Sequence, residues 1–109
     1  MKYQLKIYSF HDYDDVYTRG EYDTYEEAEK AAQGIVKSEL RSCYKKGEDA
    51  AYMLGRYTHF CDDPTVVPRK DDGTFFSAST YAKTVADEVW KRCERFRDRT
   101  GFIGVTTGE

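Results

Sequence analysis

The densest group of chemically active side chains in this sequence is the run His59, Phe60, Cys61, Asp62, Asp63. A thiol near an imidazole can act as an activated nucleophile, with an aspartate orienting the base. Side chains two positions apart on a helix point in different directions, however, and no glycine-rich oxyanion loop accompanies the run. Two aspartates before a proline are also typical of a turn. The polar cluster of His59, Cys61, Asp62 and Asp63 is therefore a candidate site for a small ligand or an enzyme, without an assigned catalytic residue.

Five side chains carry the nitrogen or sulfur atoms that transition metals prefer. Structural zinc sites bring their ligands in closely spaced pairs, and only two of these five residues are near each other in the sequence. We therefore predict neither a metal site nor a bound cofactor. The five residues are His11, Cys43, His59, Cys61 and Cys93.

A second candidate site is a concentration of aromatic residues among acidic ones near the N-terminus. Tyrosine is frequent at interfaces because it buries a large area for little lost entropy, although it is also an ordinary strand residue. An acidic surface of this kind suits a second copy of the chain or a basic protein, whose association it would speed. The candidate interaction surface consists of Tyr8, Phe10, Tyr13, Tyr17 and Tyr22.

Length and composition indicate one globular domain over residues 1–109. Hydrophobic residues make up 39% and aromatic residues 16% of the chain, which separates it from disordered sequences. Residues 99–109 are expected to form a tail that is either flexible or exchanged between copies. Three cysteines, an odd number at wide spacing, favour a reducing compartment. Because no leader or membrane-spanning apolar run is evident, we predict a cytoplasmic protein without membrane contact.

The elements that must position these residues begin with a hairpin. Residues 2–10 alternate between apolar and polar positions, with Tyr3, Leu5 and Ile7 on one face, and residues 16–22 return as a second strand. Alternation of this period is typical of strands. We therefore predict an antiparallel hairpin, which needs a helix to cover its apolar face.

The clearest element is the helix that follows Thr24. Thr24 and Glu27 have the spacing of a capping box, in which each side chain accepts a hydrogen bond from the other residue's backbone amide. Gly47 can adopt the left-handed conformation that ends a helix, so the helix is expected to reach it. Its apolar stripe consists of Ala28, Ala31, Ala32, Ile35, Val36, Leu40 and Cys43.

A shorter second helix is predicted over residues 48–60, which end before the Asp-Asp-Pro turn. Its apolar positions are Ala51, Met53, Leu54, Tyr57 and Phe60.

The third predicted helix has Ser77 as its N-cap and runs to Arg97. Phe76 precedes the cap and Tyr81 lies at the fourth helical position, the arrangement of a hydrophobic staple. Its apolar stripe consists of Ala78, Tyr81, Ala82, Val85, Val89, Trp90, Cys93 and Phe96.

Two minor elements complete the predicted fold. Residues 65–76 form a candidate minor hairpin around a charged turn, and residues 102–105 a short C-terminal strand or arm. The predicted class is α+β, with an N-terminal antiparallel hairpin packed against three helices.

Three motifs give the chain a resemblance to a family of small bacterial proteins without assigned function. They are YTRGEYDTYEEAEKAAQGIV, CDDPTVV and FFSASTYA, and together with the second helix they extend the similarity from Tyr3 to Arg92. Cys61 and Asp62 replace the Gly and Glu of that family's pattern. The resemblance implies a bacterial origin and a fold, and it brings no activity.

The hairpin and capped helix also resemble the hairpin-plus-helix modules of integrase arm-binding domains, which read DNA through the sheet. Those modules carry arginines and lysines on the exposed sheet face, whereas residues 12–29 are strongly acidic here. Nucleic-acid binding is therefore the weaker alternative. The sequence favours a non-enzymatic protein acting through protein-protein or self association, including homodimer formation, with the polar cluster as the competing ligand or enzyme site.

Overall fold

The computed structural model of this chain describes residues 2–9 and 16–100, with side chains up to residue 96. The described part has the predicted α+β architecture, a three-stranded antiparallel sheet combined with three helices. The elements are β1 (Tyr3–Tyr8), β2 (Val16–Tyr22), α1 (Tyr25–Ser42), α2 (Ala50–Phe60), β3 (Asp63–Val67) and α3 (Ala78–Thr100).

The sheet has the order β2-β1-β3, so the first strand lies in the middle. The predicted hairpin of β1 and β2 is confirmed, with Tyr3 opposite Tyr22. The predicted minor hairpin over residues 65–76 is wrong, because β3 pairs with β1 instead, placing Leu5 opposite Val66. Residues 74–76 form no strand. Because β3 pairs with the central strand, Val66 lies in the main core. A local hairpin over residues 65–76 would not place it there.

The alternation of β1 separates the two faces of the sheet as the sequence predicts. Leu5 and Ile7 are buried on the face that the helices cover, together with Val66 of β3. We call the opposite side the outer face; it carries Lys6 and Tyr8, which are half-buried.

The strand β2 forms an edge of the sheet and is largely exposed. The pairing register shifts between Leu5 and Lys6, whose partners are Gly20 and Thr18, so Arg19 is an extra residue in β2. Such a bulge bends an edge strand and discourages pairing with a further strand.

Helix α1 begins as the sequence predicts and ends earlier. Both hydrogen bonds of the capping box between Thr24 and Glu27 are present. The helix stops at Ser42 instead of extending to Gly47, and Cys43 is its C-cap. Gly47 does adopt positive φ, but in the turn between the helices. The buried residues of this helix are Tyr25, Ala28, Ala32, Val36 and Leu40.

Helix α2 is present over almost the predicted range, but its buried face differs. Asp49 is the N-cap, its carboxylate accepting a hydrogen bond from the Tyr52 amide. Met53 and Tyr57 are buried as expected, whereas Phe60 is 69% exposed. Phe60 is the last residue of α2 and lies outside the core.

Helix α3 has the predicted start. The Ser77 hydroxyl accepts a hydrogen bond from the Thr80 amide, and the rings of Phe76 and Tyr81 pack with centroids 5.7 Å apart. The helix continues to Thr100, three residues beyond the predicted Arg97. The predicted strand or arm at 102–105, and most of the 99–109 tail, lie outside the described residues.

The core is formed where α1 and α3 pack on each other and on the inner face of the sheet. Its largest fully buried side chains are Leu5, Leu40, Met53, Val36 and Val66. Across residues 2–9 and 16–100, no helix combines the length and the apolar character needed to cross a membrane.

Candidate functional site

A groove of about 590 Å³ lies beside β3, and we call it the β3 groove. Its walls are contributed by three parts of the fold: β3 with the end of β1, the C-terminal end of α2, and the segment that leads into α3. A volume of this order falls in the range of ligand and peptide sites. The residues that line it include Tyr8, Tyr57, Cys61, Asp63, Arg69 and Phe75.

Residues from both candidate sites meet in the β3 groove. Tyr8 and Asp63 lie directly opposite each other on β1 and β3, on the outer face of the sheet. Asp62 and Cys61 line the same groove. The antiparallel pairing of β1 with β3 therefore brings Tyr8 of the candidate interaction surface next to Asp63 of the polar cluster.

His59 does not join the other members of the polar cluster. Its side chain is exposed, and its Nδ1 atom lies 2.8 Å from the carbonyl oxygen of Gly55, one helical turn earlier. His59 is not among the residues that line the groove. An imidazole turned toward its own helix is not placed to accept a proton from Cys61.

Cys61 faces the C-terminal end of α1. Its Sγ atom lies 3.8 Å from the Sγ atom of Cys43. Burial, and next the carboxylate of Glu39, raise the pKa of the Cys61 thiol. A raised pKa is the opposite of what an activated nucleophile needs, since the thiolate is the reactive form.

Asp63 is a half-buried carboxyl without a cationic partner among the described residues. Burial raises its pKa above the ordinary value of 3.8. Burial also raises the pKa of Tyr57, which lies beside it in the groove. Ionisable groups with shifted pKa values in a concave site are candidates for binding.

Arg69 and Phe75 also line the groove. The Arg69 guanidinium carbon lies 4.1 Å from the centre of the Phe75 ring, a cation–π contact. Phe75 is 53% exposed, so much of this ring faces solvent. Sequence reasoning missed both residues. Their positions beside a charged turn gave no sign that the turn packs back on β3.

The N-terminus of α3 reaches the groove, and two amides beside it have partners within the protein. The Thr80 amide donates to the Ser77 hydroxyl, and the Phe76 amide donates to the Tyr25 hydroxyl.

Among the described members of the candidate interaction surface, Tyr8 and Tyr22 lie on opposite faces of the sheet. Tyr8 lines the groove on the outer face, whereas Tyr22 packs against the core from the inner face. Tyr17 is the second residue of β2 and is 53% exposed. Phe10 and Tyr13 lie outside the described residues.

The metal donors considered in the sequence are dispersed, apart from Cys43 and Cys61. Cys93 is buried on α3, and His11 is outside the described residues. Within residues 2–9 and 16–96, no three His, Cys, Asp or Glu side chains converge as metal ligands would.

Comparisons of the chain with protein-family profiles, with curated proteins and with solved structures found no match.

Proposed function

We propose that this protein is a non-catalytic binding domain, of bacterial and cytoplasmic origin, that associates with another protein through the β3 groove. The partner contributes a short segment in which a lysine or arginine stands beside an apolar side chain. The basic group meets Asp63, and the apolar group packs between Tyr8 and Phe75.

The observation that carries this proposal is the carboxyl of Asp63, which has no cationic partner within residues 2–9 and 16–96. A half-buried carboxylate costs stability unless a cation or hydrogen-bond donors compensate it. Proteins retain such destabilising groups mainly where function requires them. A basic side chain from a partner would supply the missing charge.

The apolar walls define the rest of the partner segment. Tyr8 and Phe75 both line the groove, and Phe75 is held in place by the Arg69 guanidinium. Aromatic rings fixed in this way bury a large area with little loss of entropy, as interface hot spots do. The net charge of −3 also favours association with a basic partner.

A binding role accounts for the chemistry of the groove better than catalysis does. The thiol of Cys61 has a raised pKa, and the His59 ring is in hydrogen-bond contact with the carbonyl oxygen of Gly55. Neither group has the arrangement of a nucleophile with its base.

Selection from a random peptide display library tests the proposal. We expect the wild-type protein to enrich peptides with a lysine or arginine next to an aliphatic or aromatic residue. Asp63→Asn and Phe75→Ala should each reduce the affinity of a selected peptide at least tenfold, about 1.4 kcal/mol. Tyr52→Ala, which removes another exposed ring on the far end of α2, is the matched control and should bind like wild type.

Two results would overturn the proposal. One is enrichment of acidic peptides or of none. The other is a selected peptide whose NMR shift changes fall outside the residues that line the β3 groove.

Self-association through β2 is the second candidate. Val16 and Tyr17 are both exposed large hydrophobic residues at the same end of this edge strand. The bulge at Arg19 restricts strand pairing, so the contact would be made by side chains. Sedimentation velocity at micromolar concentration tests it: a dimer that Tyr17→Ala converts to monomer supports this candidate, and a wild-type monomer excludes it.

A further inference from the structure

The C-terminal ends of α1 and α2 bring two thiols into contact. Cys43 is the C-cap of α1 and Cys61 is the C-cap of α2, and their Sγ atoms are 3.8 Å apart. We propose that Cys43 and Cys61 are a redox modification site, forming a reversible disulfide within the chain. This inference does not depend on the partner proposed for the β3 groove.

The two helix ends are held together by Arg56. Its Nη1 atom donates a 2.7 Å hydrogen bond to the carbonyl oxygen of Cys43, and its Nη2 atom contacts the Glu48 carboxylate at 2.6 Å. Trp90 of α3 donates from Nε1 to the Glu48 carbonyl at 2.8 Å. One side chain of α2 thus binds the C-cap of α1 directly, and α3 fixes the connecting segment. The thiols meet because of this clamp.

The remaining movement is small. A disulfide has its sulfur atoms about 2 Å apart, so the pair must close by roughly another 2 Å. Rotation about the Cα–Cβ bonds can move each sulfur atom by that amount. This rotation leaves the backbone in place, so the hydrogen bonds that the Cys43 amide donates to Leu40 and the Cys61 amide donates to Tyr57 are kept.

Oxidised glutathione is a suitable oxidant, because its reaction is a balanced thiol–disulfide exchange. The Cys61 thiolate attacks one glutathione sulfur, the glutathione disulfide breaks, and one reduced glutathione leaves. The Cys43 thiolate then attacks the Cys61 sulfur, forming the protein disulfide and releasing a second reduced glutathione. The two protein thiols lose their protons to water and supply the two electrons that the glutathione disulfide gains.

The order of attack follows from access. Cys61 lines the β3 groove, whereas Cys43 is only 6% exposed. A small disulfide reaches Cys61 first, and Cys43 acts as the resolving thiol. Cys93 is equally buried and has no thiol contact in the described part of the chain, so it provides an internal reference.

Tryptic peptide mapping of the native protein tests the proposal. Lys45, Lys46 and Arg56 lie between the two cysteines, so trypsin separates Cys43 from Cys61 unless a disulfide joins them. After incubation with oxidised glutathione, we expect the linked Cys43 and Cys61 peptides from the monomer, with Cys93 free. Dithiothreitol should restore both thiols without a change in the circular dichroism spectrum.

Variants distinguish the thiol that reacts first with glutathione disulfide, Cys61, from the resolving thiol, Cys43. Cys43→Ser should keep a glutathione adduct on Cys61, because the resolving thiol is absent. Cys93→Ser is the matched control and should form the disulfide at the wild-type rate. The proposal is overturned if the folded wild-type monomer yields no linked peptide, or if its links involve Cys93 at equal frequency. The wild-type map decides this even if a variant folds poorly.

Discussion

The hydroxyl of Tyr25 accepts a hydrogen bond from the backbone amide of Phe76 at 2.6 Å, in a buried environment. Tyr25 is the first residue of α1, and Phe76 precedes the N-cap of α3. This one contact therefore fixes the start of α3 relative to the start of α1. It also places the segment that carries Phe75 against the β3 groove.

Tyr25→Phe should destabilise the protein by about 1–3 kcal/mol, because it leaves a buried backbone amide without an acceptor. Urea denaturation followed by circular dichroism measures the difference. Tyr52→Phe is the matched control, since Tyr52 is 66% exposed and should change stability by less than about 0.5 kcal/mol. Equal stability of the Tyr25 variant and wild type would mean that the contact does not contribute.

Thr24→Ala should lower the free energy of unfolding by about 1 kcal/mol. The substitution removes the hydroxyl that accepts a 3.1 Å hydrogen bond from the Glu27 amide. The same denaturation experiment measures it. Ser38→Ala, in the exposed middle of α1, removes a hydroxyl without a capping role and should be neutral or slightly stabilising. A Thr24 variant as stable as the Ser38 variant would contradict a stabilising cap.

Asp63→Asn should raise the stability of the free protein at pH 7 by less than about 1 kcal/mol, since the carboxyl keeps part of its contact with water. Burial raises the folded-state pKa of Asp63 above 3.8, so the folded state holds the proton more tightly than the unfolded state. The contribution of Asp63 is therefore favourable below pH 3.8 and is lost as the pH rises through the folded-state pKa.

Denaturation at pH 3 and at pH 7 measures this difference. The advantage of the Asn variant should be present at pH 7 and absent at pH 3. Asp71→Asn, in the exposed turn before α3, is the control and should show little change. A variant that is less stable than wild type at pH 7 would show that Asp63 has a stabilising partner.

Formation of the Cys43 and Cys61 disulfide should accelerate with pH by about tenfold per unit, without levelling off near pH 8.5 as an ordinary cysteine would. The reason is that burial raises the pKa of both thiols, so the thiolate fraction continues to grow. The rate of thiol loss in excess oxidised glutathione measures it. A plateau near pH 8 would contradict the raised pKa values.

The oxidised protein should unfold with a free energy about 3 kcal/mol larger than that of the reduced protein, because the disulfide restricts the unfolded chain. Urea denaturation with and without dithiothreitol gives the comparison. The Cys61→Ser variant lacks the accessible thiol, and Cys43 and Cys93 are each only 6% exposed. It should show no difference between the two conditions, which separates the disulfide from other effects of the reductant.

Local signals in the sequence predicted the local parts of the fold. The Thr24 and Glu27 capping box, and the Phe76 and Tyr81 staple, each depend on residues a few positions apart, and the structure confirms both. The alternation of β1 correctly identified Leu5 as a core residue. Hydrogen-bond chemistry within one turn is encoded in neighbouring residues, so it can be inferred without knowledge of the rest of the fold.

Contacts between distant segments could not be inferred in the same way. The pairing of β3 with β1 was missed because residues 65–67 are followed by a turn that suits a hairpin equally well. The exposure of Phe60 was missed because periodicity within α2 does not show where its neighbours end. The predicted apolar stripe of α1 did not include Tyr25, because this buried residue lies at the first position of the helix.

The candidate site was recovered only in part for the same reason. Asp63 and Tyr8 were each singled out in the sequence, but for separate sites, and the sheet register joins them. Cys43 and Cys61 are 18 positions apart, and their contact depends on the Arg56 clamp. Nothing in the spacing of the two cysteines indicates that clamp.

The position of β1 in the middle of the sheet has a consequence for synthesis on the ribosome. Strand β1 can pair with β2 as soon as β2 has been synthesised. The other edge of β1 has no partner until β3, which ends at Val67, has also been synthesised. Until then the nascent chain carries Leu5 and Ile7 without the strand and the third helix that complete the core. Folding to the native state is therefore a late event, and translation pauses before residue 67 should prolong the exposure of the apolar face of the hairpin.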